Sequence, residues 1–313
     1  MMKTKLRIFI YTYLIFCCLA CKTQLLPSEQ TELTYEEYGK MQHQIATKDG
    51  KIAYLDRGEG EVILLLHGVP TSGWLYRKMV DGLVSAGYRL IIPDMLGFGN
   101  SDSPKGYDLY HPRPHAERIL ALMDSLNIQE WTHVFHDAGG LWTWELMSLS
   151  PKRIKNLVML NSIVYSEGFH PPIRFKRGLS AKLTMALYSN GISTNAMLGM
   201  LFKEGLQENK MTKAGYNGYK KPLLNGQTKG MYTFFTSTCN DLPDYSHIIR
   251  EINVPTLVIW GEQDDFLRIQ PMKERLIQEM NLKEEQFHLI EAKHFIQEEQ
   301  PELINQLMLG FLK

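Results

Sequence analysis

The feature that most constrains this chain is a set of short, almost continuous apolar runs separated by longer stretches of helical spacing. The runs are KIAYLDRG, EVILLLHG, YRLIIPDM, THVFHD, KNLVMLNS, TLVIWGEQDD and QFHLIEAKHF. A strand with one wet face alternates apolar and polar residues. Most of these runs do not, so they read as strands covered on both faces, as in a parallel sheet. WLYRKMVDGLVSAG, HAERILALMDSLN and LWTWELMSLSP carry helical patterns between them. Strand and helix in alternation predict βαβ units with right-handed crossovers, hence an α/β fold with a doubly wound, mostly parallel sheet.

The rhythm stops between Ile163 and Ile252, where some 90 residues hold helical patterns but no convincing strand. That length is too great for a simple connection in a compact domain. It predicts a helical cap, residues 163–252, inserted between two parts of one sheet domain, 39–162 and 253–313. The cap is rich in tyrosine (Tyr165, Tyr188, Tyr216, Tyr219, Tyr232) and contains no tryptophan. The polar residues 22–38 read as a linker.

Ahead of that linker, MMKTKLRIFIYTYLIFCCLACKTQ begins with Lys3, Lys5 and Arg7, continues in an apolar run from Ile8 to Ala20, and reaches Cys21. This is the layout of a signal peptide, and the run is short for a bilayer span. CLAC resembles the lipobox of bacterial lipoproteins, with Cys18 where leucine is usual. The resemblance implies that residues 1–21 are a lipoprotein signal and that a lipid on Cys21 anchors an exported protein to a membrane of the bacterial cell envelope. A plain signal peptide or a membrane-anchoring helix is the competing reading. Only Cys239 stands outside this segment, so no disulfide framework is available. Lys+Arg at 34 balance Asp+Glu at 34, which gives no basis for a nucleic-acid partner.

In open α/β sheets, ligands bind beyond the carboxyl ends of the strands, so residues just after each run carry the chemistry. Three ends stand out: Asp137 after THVFH, Asp264 in GEQDDFL after TLVIW, and His294 closing FHLIEAK. Asp265 is a rival to its neighbour. An aspartate at a strand-to-helix corner, followed by Ala138, Gly139 and Gly140, is either a nucleophile or a helix N-cap. HPRPH, from His111 to His115, reads as a surface turn before a helix rather than a metal site. Gly97 and Gly99 in GFGNSD lack the third glycine of a dinucleotide motif. Trp142 and Trp144 read as core, and His67 and His136 as structural.

LLLHGVPTSGWLYRKM, PDMLGFGNSDSP, HDAGG, WGEQDDFL and KHFIQEEQPE, in this order, resemble successive signature segments of the α/β-hydrolase family. They run from about residue 45 to the C-terminus, interrupted by the cap. The closest branch is the one with an aspartate nucleophile, which contains haloalkane dehalogenases and epoxide hydrolases. The resemblance implies a triad of Asp137, Asp264 and His294 in the family's chain order. It also implies an oxyanion hole from the backbone N–H groups of Val69 and Ala138. Small residues around the nucleophile permit a strained turn, and Gly139 and Gly140 let the next helix approach the strand. No G-x-S-x-G occurs; around Ser189, Leu187 stands where the first glycine should be.

An ionised aspartate needs no base to attack, and it can displace a leaving group at saturated carbon to leave an alkyl ester. Attack on a carboxylic ester would instead give an anhydride. The expected substrate is therefore a small organic molecule with an epoxide or carbon–halogen bond, processed without cofactor or metal. In dehalogenases that the chain resembles, the halide is gripped by a tryptophan after the nucleophile and by an asparagine after HG or a cap tryptophan. Ala138, Val69 and a tryptophan-free cap offer none of these. That favours an epoxide, whose oxygen cap tyrosines would assist; Tyr219 and Tyr216 are the candidates. A non-catalytic binding lipoprotein on the same fold is the competing class, and water activated directly by His294 is a third possibility.

Overall fold

The computed structural model describes residues 22–171 and 173–313, so Cys21 and the rest of the signal segment lie outside the described residues. Residues 22–38 do more than link. Strand β1 (Gln24–Leu26) pairs in parallel with β8 (Lys210–Thr212) of the cap. Helix α1 (Tyr35–Met41) starts on a Thr34–Glu37 capping box, and its Tyr35 and Tyr38 pack edge-on against Trp74. The stretch looks like a linker because its pairing runs through backbone atoms, which a polar composition conceals.

Strands β2 (Gln42–Thr47), β3 (Gly50–Arg57), β4 (Glu61–Leu66), β5 (Tyr88–Pro93), β6 (Trp131–Asp137), β7 (Ile154–Ser162), β9 (Thr256–Gly261) and β10 (Phe287–Ile290) form one sheet. Its order is β10-β9-β7-β6-β4-β5-β3-β2. Six strands, from β10 to β5, run parallel, whereas β3 pairs antiparallel with both β5 and β2. Residues 63–66 of β4 and all of β6 and β9 are buried, as expected of strands covered on both faces. The edge strand β2, QHQIAT, has a partly exposed pattern and carries too little apolar signal to stand out in the sequence.

The covering helices are α2 (Val80–Ser85), α3 (Pro112–Ser125), α4 (Gly139–Leu149), α10 (Lys273–Glu279), α11 (Ile296–Glu299) and α12 (Pro301–Phe311). The expected helix from Trp74 onward divides into a 3-10 turn, Gly73–Tyr76, and the short α2. HPRPH opens α3 instead of turning ahead of it: Pro112 takes the first helical position, where its missing N–H costs nothing, and His115 is fully buried.

The cap holds α5 (Leu179–Ser189), α6 (Thr194–Gly205), α7 (Lys213–Leu224), α8 (Lys229–Thr233) and α9 (Ser246–Arg250), with a π turn after α8. It also contains the strand β8, absent from the sequence expectation because three residues leave no periodicity. The Trp74 indole N–H donates to Gly215 O at 3.0 Å and ties sheet domain to cap.

Candidate active site

Strand order reverses on either side of β4, so the crevice between the carboxyl ends of β4 and β6 is the place where an open α/β sheet receives a ligand. Asp137 stands there, the last residue of β6, at φ 51°. A non-glycine residue in this region stores strain, and surrounding contacts must hold it. Ser162 Oγ and Ile163 N both donate to Asp137 O, at 2.9 and 3.1 Å. Glycines admit the close approach. A Cβ on Gly68 would overlap the Asp137 carboxylate, one on Gly140 would overlap Ser162 Oγ, and one on Gly139 would lie 2.8 Å from His67 O.

Val69 N donates to Asp137 Oδ1 at 2.7 Å, and the Ala138 N–H also stabilises the carboxylate. His294 Nε2 lies 3.8 Å from Asp137 Oδ2. On the other side of the ring, Nδ1 is 2.9 Å from Asp264 Oδ2. The structure thus brings together Asp137, Asp264, His294, Val69 and Ala138. Asp265 is exposed and pairs with Arg268, three residues on, at 3.2 Å.

Asp264 is fully engaged. Its Oδ1 accepts from Phe266 N and Leu267 N, at 2.8 and 3.0 Å, and its Oδ2 accepts from Asn161 Nδ2 at 2.7 Å as well as facing His294. Asn161 donates also to Lys293 O at 3.0 Å and accepts from Gly261 N at 2.8 Å, so one amide joins the ends of β7 and β9 to the histidine loop. Sequence reasoning missed Asn161, although its place at the end of KNLVMLNS was a signal.

Burial pushes the Asp137 carboxyl above its ordinary value, against the pull of His294 and the two backbone N–H groups. Burial opposes the charge on His294 too, but the adjoining Asp264, helped by Asp137, holds its pKa above the ordinary imidazole value. His67 is a structural residue: its Nε2 accepts from Met95 N at 2.9 Å, and burial lowers its pKa to about 4. His136 Nε2 contacts His294 O at 2.9 Å, so it supports the histidine loop from beneath.

The two cap tyrosines do not present free hydroxyls. Tyr219 donates to Glu298 Oε1 at 2.6 Å, and Tyr216 donates to Asn195 Oδ1 at 3.2 Å. Burial and the Glu298 charge push the Tyr219 hydroxyl far above its ordinary pKa, which makes it a poor acid. Glu298 is bound by Arg77, whose Nη2 is 2.9 Å from Oε2, and by Lys78 at 3.0 Å. Neither Arg77 nor Glu298 was legible as a partner of the cap.

Comparisons with known proteins agree with this architecture. The chain is 31% identical over 248 residues to a cis-3-alkyl-4-alkyloxetan-2-one decarboxylase of Shewanella oneidensis, covering 71% of this chain and 73% of that one. It is 26% identical over 279 residues to epoxide hydrolase 4 of Mus musculus, covering 84% and 75%. A haloalkane dehalogenase of Mycolicibacterium paratuberculosis is 35% identical over 120 residues, which is 38% of this chain and 40% of that one. The sequence profile of the alpha/beta hydrolase fold matches residues 61–301, which span β4 to the start of α12 and include every residue of the site just described. The chain is an enzyme of the α/β-hydrolase family.

Proposed function

We propose that the enzyme opens a strained or polarised bond at saturated carbon, an epoxide in the first instance, through a covalent ester on Asp137. The observation that carries this reading is the unequal engagement of the two Asp137 oxygens. Oδ1 is held by Val69 N at 2.7 Å, while Oδ2 faces the ring of His294 at 3.8 Å. Oδ2 attacks the carbon, and the C–O bond of the epoxide, or a C–halogen bond, breaks with its electron pair leaving on the heteroatom. Oδ1 becomes the ester carbonyl oxygen, already within the hole formed by Val69 and Ala138.

In the second step, His294 Nε2 takes a proton from water, and the resulting hydroxide attacks the ester carbonyl carbon. Charge develops on Oδ1 and is stabilised by the two N–H groups. Collapse expels the ester oxygen, which takes the proton of the new carboxyl group, so the alcohol or diol leaves and the carboxylate returns; the alkoxide of an opened epoxide takes its proton from solvent, and the imidazolium returns one to solvent. Asp264 holds Nδ1–H toward itself and stabilises the imidazolium.

Val69 and Ala138 bring no side-chain N–H to a departing halide; an epoxide oxygen stays on the substrate and can take its proton from solvent, which supports the epoxide even with Tyr219 and Tyr216 engaged elsewhere. A relative named epoxide hydrolase supports it too. A β-lactone belongs in the test because a relative is named for a dialkyl oxetan-2-one, another strained oxygen ring.

The experiment is intact-protein mass spectrometry of His294→Gln with a panel of epoxides, haloalkanes and cis-dialkyl oxetan-2-ones. The expected result is a stable mass gain on Asp137 from an epoxide. An adduct from another class reassigns the substrate; no adduct in the folded variant overturns the ester mechanism. For the N-terminus, we propose export and lipidation of Cys21. Mass spectrometry of the membrane-extracted protein tests it.

A further inference from the structure

The exposed large apolar side chains among the described residues are Leu25, Leu26, Leu179, Leu183, Leu187, Ile192 and Leu224. All lie on the cap or on β1, the strand paired with it; the sheet domain contributes none. Their arrangement is ordered. Helix α5 buries Ala181, Met185 and Tyr188 against the rest of the cap, and its opposite face carries Leu179, Leu183 and Leu187 at four-residue spacing. Leu179 is 73% exposed, and Ile192, in the turn after the helix, is 88% exposed. A surface helix of a soluble protein turns its polar face outward; one that is apolar on both faces has a second apolar environment.

Charge on the same segment is one-sided. Residues 168–203 contain five basic side chains, Arg174, Lys176, Arg177, Lys182 and Lys203, and no acidic one. In a chain whose 34 basic and 34 acidic residues cancel, such a run stands apart, although Arg177 lies 3.9 Å from Asp108 of the sheet domain. Arg174, Lys176, Arg177 and Lys182, which flank the leucine row, are exposed. Leucines with flanking cations match an anionic lipid surface, where apolar groups enter the headgroup boundary and cations stay with the phosphates.

The path of the chain also brings its N-terminal segment to the cap. The apolar N-terminal run of the sequence ends at Cys21, and β1, beginning at Gln24, runs directly onto cap strand β8. Its Leu25 and Leu26 are exposed there. No helix among the described residues is long and apolar enough to cross a membrane.

We infer that the cap is a membrane-docking surface, on which the outward leucines of α5 with Ile192 and the cations Arg174, Lys176, Arg177 and Lys182 seat the enzyme on an anionic bilayer. This docking is independent of which bond is opened, and it does not require the lipid on Cys21.

Residues 22–313 contain the complete sheet, cap and site, so the chain without its first 21 residues is tested by flotation with vesicles of phosphatidylethanolamine and phosphatidylglycerol. The wild type is expected to float with these vesicles, and less with phosphatidylcholine vesicles or in high salt. Leu179→Ser/Leu183→Ser/Ile192→Ser should lower the partition coefficient at least about tenfold. Arg174→Gln/Lys176→Gln/Arg177→Gln should remove the preference for anionic lipid. Both variants should retain the circular dichroism spectrum and the turnover of a water-soluble substrate. Failure of the wild type to float, flotation of the serine variant like the wild type, or a dimer in solution that the serine variant dissolves would each overturn the inference; the last would assign the leucine row to a second copy of the chain.

Discussion

The rim of the sheet and the cap meet at His294, and they contribute different kinds of atoms. From the rim come side chains: Asp137 at 3.8 Å from Nε2, and Asp264 at 2.9 Å from Nδ1. From the cap come mostly backbone atoms. Gly205 O, the end of α6, accepts from both His294 N and Phe295 N at 3.1 Å. Gln207 N donates to Glu299 Oε1 at 2.6 Å, and Glu299 Oε2 accepts from Lys293 N at 2.8 Å. The rim decides what reaction is possible. The cap adds a backbone anchor to the histidine loop, which Asn161 and His136 hold from the sheet side.

This division orders the expected effects of change. Asp137→Ala removes the proposed nucleophile, and turnover should fall at least about 10⁴-fold; steady-state rates on the substrate found by adduct formation measure it. Residual turnover within about tenfold of wild type would sink the assignment. Asp264→Asn leaves the geometry but loses the charge that fixes the imidazole, and a loss of about 10³-fold in kcat is expected.

Disturbing the cap should cost less. A Cβ on Gly205 would sit 2.5 Å from the Phe295 ring, which packs 4.9 Å from that of His294. Gly205→Ala should therefore lower kcat by about 10²-fold, through displacement of the histidine, with a near-normal unfolding midpoint. An unchanged kcat would mean that the cap does not position His294 at all.

The pH profile sharpens the comparison further. Ester hydrolysis needs neutral His294, so kcat should fall about tenfold per pH unit below its pKa. In the free site Asp264 and Asp137 hold that pKa above the ordinary imidazole value despite burial; in the ester Asp137 is uncharged and Asp264 is left as the main charge opposing burial, so the acid limb should move down in Asp264→Asn. Stability runs the other way. A histidine with a raised folded pKa adds stability below its unfolded pKa, and this is lost as pH rises through the folded value. Denaturant midpoints across that range measure it.

The smallest effect is expected at Tyr219. Tyr219→Phe removes its hydrogen bond to Glu298 but leaves Arg77 and Lys78 in place. A stability loss of about 1 kcal/mol and a kcat within about threefold of wild type are expected. A fall in kcat of about 10²-fold with intact stability would restore Tyr219 as the donor to the leaving group.

The same division explains what was legible in the sequence. Asp137, Asp264 and His294 could be found because each is chemically conspicuous and ends or closely follows an apolar run, Asp137 closing β6 and the other two lying three and four residues beyond β9 and β10. Val69 and Ala138 could be placed only because their neighbours could, since any residue supplies a backbone N–H. Asn161 hid behind its ordinary use as a turn former. Glu298 and Glu299 look like a solvated pair, yet Glu298 meets Arg77 from 221 positions away, a distance no local pattern reveals. Gly205 acts through a carbonyl, which leaves no mark in residue identity. Helix α1 was missed within residues read as a linker, although its Thr34–Glu37 capping box was a signal, and the pairing of β1 with β8 rests on three residues each and left none.

The carbonyl of Gly205 sets a rule of timing. Any motion that lifts the end of α6 from the sheet must break both N–H contacts to His294 and Phe295 in the same movement. Loosening at this end would relax the histidine loop on its cap side only, since Asp264 still holds the ring and Asn161 still holds Lys293 O from the sheet.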